Sequence, residues 1–270
     1  MAKFIQITDT HIVPDGELAY AKSDTAAALR TAIETVNAKL PVLGDVDCAI
    51  VTGDLTDYGT PGEYERFKAM MAELALPWLA IPGNHDVREP MRAAFAGKAW
   101  MPESGPIQWR HDMSAFTIVG LDTLVDGKHH GEIAADGLAF LDAVLSDLAG
   151  KPVIVAAHHH VFHTGIRPMD RTFLRNGSDL LARLEAYAGP ARVISGHVHR
   201  ALTAQIGRVT CQISPAPCHA VNLDQREDAV NSLIMEPGGV TLFEWRDTPF
   251  PCLVSDVIPV GTHEGPWPFF

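Results

Sequence analysis

Five short polar motifs in this chain each come just after an apolar run, and that recurrence constrains its fold more than any other feature. They are Asp9-Thr10-His11, Gly53-Asp54, Gly83-Asn84-His85-Asp86, His158-His159-His160 and Gly196-His197-Val198-His199. The runs before them, such as Cys48 to Thr52 and Val153 to Ala157, have the length and β-branched content of buried strands. One carboxylate or imidazole at a strand end says little. Several arriving from different strands can close around a metal ion.

The first two-thirds of the chain alternate strand and helix. Apolar spacing predicts a helix from Ser23 to Leu40, stopped by Pro41. Thr60-Pro61-Gly62-Glu63 reads as a cap, a first-turn proline and an acidic residue three after the cap. A further helix carries Leu138, Leu141, Leu145 and Leu148, with Asp136 as its expected cap. The polar motifs thus lie past the C-terminal ends of strands, where open α/β sheets hold their ligands. After about residue 200 the texture turns to β. We read residues 1–200 as the core and 201–270 as a β extension. In the extension, Ser232 to Glu236 and Val240 to Trp245 are expected to form a hairpin around Pro237-Gly238-Gly239.

At 270 residues and 47% hydrophobic, the chain can bury a large core. A formal net charge of −12 disfavours binding to long nucleic acid, which needs many Lys and Arg on phosphates. The start shows no secretory pattern, and every apolar run is too short to span a bilayer. Four cysteines without a C-x-x-C pair read as reduced thiols, so the expected compartment is the cytoplasm.

The motifs have chemistry of their own. Asp9 and His11 lie two apart, so on an extended chain both point one way and can reach one ion. His197 and His199 repeat that spacing with two imidazoles. Asp54 has two oxygens and could bridge two ions, while Asn84 offers a neutral amide oxygen. His85 can give or take a proton. Taken singly, Asp9-x-His11 also reads as a capping Asp beside an exposed His, and Asn84 as a turn residue. His129, His130 and His163 read as ordinary histidines.

In this order, D-x-H, G-D, G-N-H-D, H and G-H-x-H resemble the calcineurin-like metallophosphoesterases. The resemblance spans Asp9 to His199 and is nearest to the bacterial class III cyclic-nucleotide phosphodiesterase and glycerophosphodiesterase branch. Tyr20, Met169-Asp170, Asn176-Gly177, His219 and Gly265-Pro266-Trp267 fall where that branch has similar residues. One departure is His160, where the family commonly has proline. The resemblance implies a four-layer α/β/β/α sandwich with a C-terminal β extension and two metal ions. Asp9, His11, Asp54 and His199 would hold one ion. Asp54, Asn84, His158 and His197 would hold the other.

Oxygen and nitrogen ligands without thiolate suit Mn, Fe, Zn or Co. His85 would then act on the transition state or the leaving group, with Asp86 orienting its ring. Tyr20, Thr123 and His219, together with Asn84 and His85, would face the substrate. The implied activity is hydrolysis of a small phosphodiester, either a 3′,5′-cyclic nucleotide or a glycerophosphodiester. A phosphomonoesterase or protein phosphatase of the same fold is the competing reading, and a scaffold without catalysis a third. The β hairpin, uncovered by any helix, predicts a homodimer or dimer-based oligomer.

Overall fold

The computed structural model describes residues 2–269. The first half of the chain runs β1 (Lys3–Ile7), α1 (Thr25–Leu43), β2 (Cys48–Thr52), α2 (Pro61–Met71), β3 (Trp78–Ile81), α3 (Arg88–Ala94), β4 (Trp109–Asp112), β5 (Thr117–Leu121) and α4 (Ala135–Leu148). The second half runs β6 (Val153–Ala157), a single 3₁₀ turn at Met169–Arg171, α5 (Gly177–Ala186), β7 (Ala191–Ser195), β8 (Leu202–Ile206) and β9 (Val209–Ile213). It ends with β10 (Ala220–Val221), β11 (Leu233–Ile234), β12 (Gly239–Arg246) and β13 (Cys252–Pro259).

Two sheets carry the molecule. One has the order β13-β12-β1-β2-β3, the other β4-β5-β6-β7-β9-β8. Side chains of the second sheet alternate between two cores, as a strand's period of two requires. Ile118, Ile154, Ala156 and Ile194 pack into the core shared with the first sheet and helices α1, α2 and α3. Val119, Val153, Val155 and Val193 pack into a separate core with Leu141 and Leu145 of α4 and Leu180 and Leu184 of α5. The result is the α/β/β/α sandwich.

Polar ties close the seam between the sheets. The buried Gln6 amide donates to Thr52 Oγ1 at 2.8 Å and to the Ser195 carbonyl at 2.9 Å, and its oxygen accepts from Ser214 Oγ at 2.6 Å. Trp109 of β4 donates its indole N–H to the Ala80 carbonyl of β3 at 2.7 Å.

Local signals mostly land where expected. Thr60 and Glu63 form a reciprocal capping box, with Pro61 at the first position of α2. Three expectations need correction. Pro41 lies inside α1, which runs on to Leu43. Pro41 costs one backbone bond near the helix end, but the stop is made by Gly44 at φ 73° and by Lys3 Nζ, which donates to the Leu43 carbonyl at 2.6 Å. Asp136 does not cap α4. It sits in the first turn and accepts from Gly137 N, and Ala134 takes the cap position.

The third correction is the hairpin. The segments around Pro237-Gly238-Gly239 part company: β11 pairs with β10, while β12 lies between β1 and β13. Val240, Thr241, Leu242 and Phe243 of β12 are buried in the chain's own core, with the Phe243 ring stacked on Phe4 at 4.7 Å. The apolar face that argued for a second copy is therefore covered from within, and the expectation of a dimer loses that support.

Candidate metal centre

The motifs begin where strands β1, β2, β3, β6 and β7 end, and the backbone there leaves ordinary strand geometry. Asp9, His11, Asp54, His197 and His199 all have positive φ, between 42° and 70°. That region strains residues with a side chain and persists where surrounding structure enforces it, often at functional sites. Backbone bonds supply part of the enforcement: Asp9 N donates to the Gly53 carbonyl at 3.0 Å and His11 N to the Asp54 carbonyl at 2.9 Å. The motif glycines make room. A Cβ on Gly83 would lie 2.2 Å from Asp54 Oδ1, and one on Gly196 would lie 2.4 Å from Asp9 Oδ2.

The seven residues expected as ligands converge, and their free atoms are nearly all acceptors. His11 Nδ1 donates to Asp57 Oδ1 at 2.9 Å, and His199 Nδ1 donates to the His219 carbonyl at 3.0 Å. Both rings therefore present a lone pair on Nε2, and these two atoms lie 3.2 Å apart. His158 Nδ1 donates to the Thr52 carbonyl at 2.8 Å. Its Nε2 lies 3.2 Å from Asp54 Oδ2 and 3.2 Å from Asn84 Oδ1. Asp9, His11 and His199 form one group of mutually close ligand atoms, and Asp9, Asp54 and His158 another. His197 joins His158 and His159 in a third.

Lone pairs facing lone pairs in a buried place fit a cation between them. Protons compete with a cation for those nitrogens, and the titration directions show the pull of the carboxylates. Burial pushes the Asp54 carboxyl up, but the His158 imidazole outweighs it and holds the group well below its usual range. Burial pulls His158 down, and Asp54 reverses this, raising it to about 9. His199 is likewise held well above its ordinary value against burial, by Asp9. The two carboxylates call for positive charge among them. The donor set, all oxygen and imidazole nitrogen, fits two borderline metal ions.

A cavity of about 530 Å³ opens beside these atoms. His85 lines it, with Nδ1 donating to the Asp57 carbonyl at 2.9 Å and its backbone N–H to Asp54 Oδ1 at 2.8 Å. Burial lowers its pKa, but Asp54 and the Asp57 carbonyl raise it above the ordinary histidine value. Tyr20 and His219 also line the cavity, their rings 5.4 Å apart.

Two expected residues sit elsewhere. Asp86 does not reach the His85 ring. Its carboxylate accepts from Leu55 N at 3.1 Å, Gly83 N at 2.9 Å and Tyr64 Oη at 3.0 Å, so it knots the second and third motif loops together. A carboxylate among so many donors has no oxygen to spare for a neighbouring ring. The His85 ring is oriented by Asp57 instead. Thr123 is fully buried and does not line the cavity. Its hydroxyl donates to His159 Nδ1 at 2.8 Å, while His159 Nε2 donates to the His129 carbonyl at 3.2 Å. Thr123 therefore braces the wall from behind.

Other residues of the site went unnoticed in the sequence or, like His129, were read as ordinary. Asp57 serves both His11 and His85, and its signal was a second carboxylate three residues after Asp54. Thr172 Oγ1 lies 2.9 Å from His197 Nε2, and His129 lines the cavity. Neither carries any pattern. His160, in the place of the usual proline, is fully buried, stacks on His197 at 5.6 Å, and has no partner among the described residues for either ring nitrogen. Burial pushes its pKa down to about 4. The loop around it keeps its place through the His160 carbonyl, which accepts from Leu174 N at 3.0 Å.

The family model for calcineurin-like phosphoesterases matches residues 2–201. The chain belongs to that family. Among curated proteins, the probable glycerophosphodiester phosphodiesterase GpdQ of Arcobacter nitrofigilis is 35% identical over 98% of this chain and 96% of its own length. The 3′,5′-cyclic adenosine monophosphate phosphodiesterase CpdA of Pseudomonas aeruginosa is 29% identical over 79% of this chain and 75% of its own. A dimetal phosphatase from Danio rerio shares the fold at a TM-score of 0.63, with 12% identity, over 96% of this chain and 98% of that one.

Proposed function

We propose that this chain is a metal-dependent phosphodiesterase acting on small diesters, a 3′,5′-cyclic nucleotide or a glycerophosphodiester. One observation carries the choice of diester over monoester. Among the described residues lining the cavity, none is Lys or Arg. The cations beside the motifs are spent: Arg88 holds both oxygens of Asp122 through Nε and Nη2 and Asp126 through Nη1, and Arg200, next to His199, holds the Val221 carbonyl and Glu236. A dianionic monoester would bring a second negative charge with no side-chain cation to meet it, whereas a diester brings one.

Bound at Asp9, His11, Asp54 and His199 on one side and at Asp54, Asn84, His158 and His197 on the other, two ions of Mn, Fe, Zn or Co would activate the attacking water and offset charge on the phosphoryl oxygens. The reaction consumes one water and breaks one P–O ester bond: an acyclic diester gives a monoester and a separate alcohol, and a cyclic nucleotide gives one monoester that keeps the freed hydroxyl. His85, anchored through Nδ1 to the Asp57 carbonyl, has Nε2 left to hand a proton to the departing oxygen. Against burial, Asp54 and the Asp57 carbonyl raise its pKa above the ordinary histidine value, which favours the protonated ring. Tyr20 and His219 flank the cavity near His11, and Met169, Val221 and Leu233 give it an apolar wall for the organic part of the substrate. The test is kcat/KM for bis(p-nitrophenyl) phosphate against p-nitrophenyl phosphate with Mn²⁺, alongside cAMP and glycerophosphocholine. A monoester preference would overturn the proposal.

A further inference from the structure

A second cavity, of about 330 Å³, lies at the other end of the sandwich. It is lined by Pro152 and Val153 at the start of β6, Pro190 and Ala191 at the start of β7, and Cys252 at the start of β13. The ligand motifs follow the far ends of β6 and β7. Five-residue strands put about 16 Å between the two ends, so the two cavities are separate.

Its charge is unusual for this chain. The molecule carries a formal net charge of −12, yet no Asp or Glu lines this cavity, and two arginines do. Arg192 Nη2 donates to the Leu253 carbonyl at 3.0 Å and Nη1 reaches Gln212 Oε1 at 3.4 Å. Arg208 donates to the carbonyls of Tyr187, Ala188 and Gly189. Neither guanidinium makes an ion pair among the described residues. Of the carboxylates on adjoining elements, Asp247 accepts from the Trp245 indole at 2.8 Å, and Glu185 lies beside Arg208 but accepts from its backbone N–H, at 2.8 Å, rather than from the guanidinium.

A half-buried guanidinium without a counter-ion is costly. Burial pushes the Arg192 pKa down, and no carboxylate offsets it. Apart from Thr210 and Cys252 the remaining lining residues are apolar, with Phe116 and Trp245 beside the prolines. Guanidinium groups in a fork geometry recognise carboxylate, phosphate and sulfonate oxygens, and apolar walls hold an organic body.

We propose that this cavity is a second binding site, for a small organic anion: an apolar body bearing one carboxylate, phosphate or sulfonate group. A purely structural role for Arg192, tying β7 to β13 through the Leu253 carbonyl, is the alternative. Cys252 supplies a local reporter, since it is exposed while Cys48, Cys211 and Cys218 are buried.

The probe is 1-anilinonaphthalene-8-sulfonate, titrated into the full-length, metal-loaded protein. Its occupancy is read by fluorescence and by the rate at which iodoacetamide, which is uncharged, alkylates Cys252. Saturable binding that slows alkylation of Cys252 is expected. Arg192→Gln should weaken the probe by about tenfold, the loss of one charge-assisted hydrogen bond, while leaving diester hydrolysis unchanged. Should that variant fail to fold, Arg208→Gln and the protection of Cys252 in the natural protein carry the test. Unprotected Cys252 at saturation, or equal probe affinity in the arginine variant, would overturn the proposal. Displacement of the probe by inorganic phosphate as readily as by benzoate would overturn the organic part of it.

Discussion

The two sheets contribute unlike chemistry to one centre. The five-stranded sheet brings both candidate carboxylate ligands, Asp9 and Asp54, the amide of Asn84, one imidazole in His11, and His85. The six-stranded sheet brings three imidazoles, His158, His197 and His199, and no carboxylate ligand. The candidate carboxylate ligands and the proposed proton carrier thus belong to one side, and most of the candidate imidazole ligands to the other. Each proposed ion needs ligands from both. The centre therefore exists only while the two sheets are packed, and metal affinity and folding stability are linked.

The strongest way to sharpen this contrast is His85→Ala. It removes a proton carrier from the first sheet without removing a ligand. Turnover should fall on the order of 10²–10⁴-fold, the range for a lost acid–base group, with metal content unchanged. Loss of metal would mean that His85 is a ligand and the division of labour is wrong. A smaller effect is expected from Asp57→Asn, which loosens the His11 ring without touching the second sheet. Removing such an outer partner typically costs 10–100-fold in metal affinity or activity. An unchanged Mn²⁺ affinity and rate would show that the His11–Asp57 bond orients nothing.

Smaller again are two stability effects. Gln6→Ala cuts the amide that joins the sheets, taking the acceptor from the Ser214 hydroxyl and a donor from Thr52 Oγ1, while the Ser195 carbonyl keeps the Ser214 N–H. A buried polar group left unpaired costs about 1–3 kcal/mol, to be read by urea unfolding, with a parallel loss of metal affinity because both ligand sets share that seam. Full affinity in a destabilised variant would separate packing from metal binding. Asp86→Asn should cost about 1.5–3 kcal/mol, one hydrogen bond to a charged group, while the pH profile of kcat stays as it was. A changed pH profile would return Asp86 to a role on His85.

The side of each sheet that carries the site was legible because every motif leaves a buried strand at its C-terminal end, and that is a local property. Asp9, His11, His197 and His199 were marked by their i, i+2 spacing at strand ends, and the ordered set of motifs, through its resemblance to the family, made them candidate ligands. What remained hidden depends on contacts between distant parts of the chain. Partner choice by β12 is one case: Leu242 pairs with Ile5 across most of the sequence, so a nearby Gly-Gly turn suggested a hairpin that long-range packing overrides. Asp86 is another, since its five-residue neighbourhood cannot show that Leu55, Tyr64 and Gly83 all compete for its oxygens. Thr172 and His129 reach the site from loops whose sequences carry no periodicity at all.

The most direct test of a two-sheet dinuclear centre is metal content per chain after reconstitution with Mn²⁺, measured by elemental analysis on the natural protein and on Asp54→Asn. Two equivalents in the natural protein, falling below one in the variant together with activity, is the predicted result. Two equivalents retained in Asp54→Asn, or full hydrolysis by metal-free protein, would contradict it.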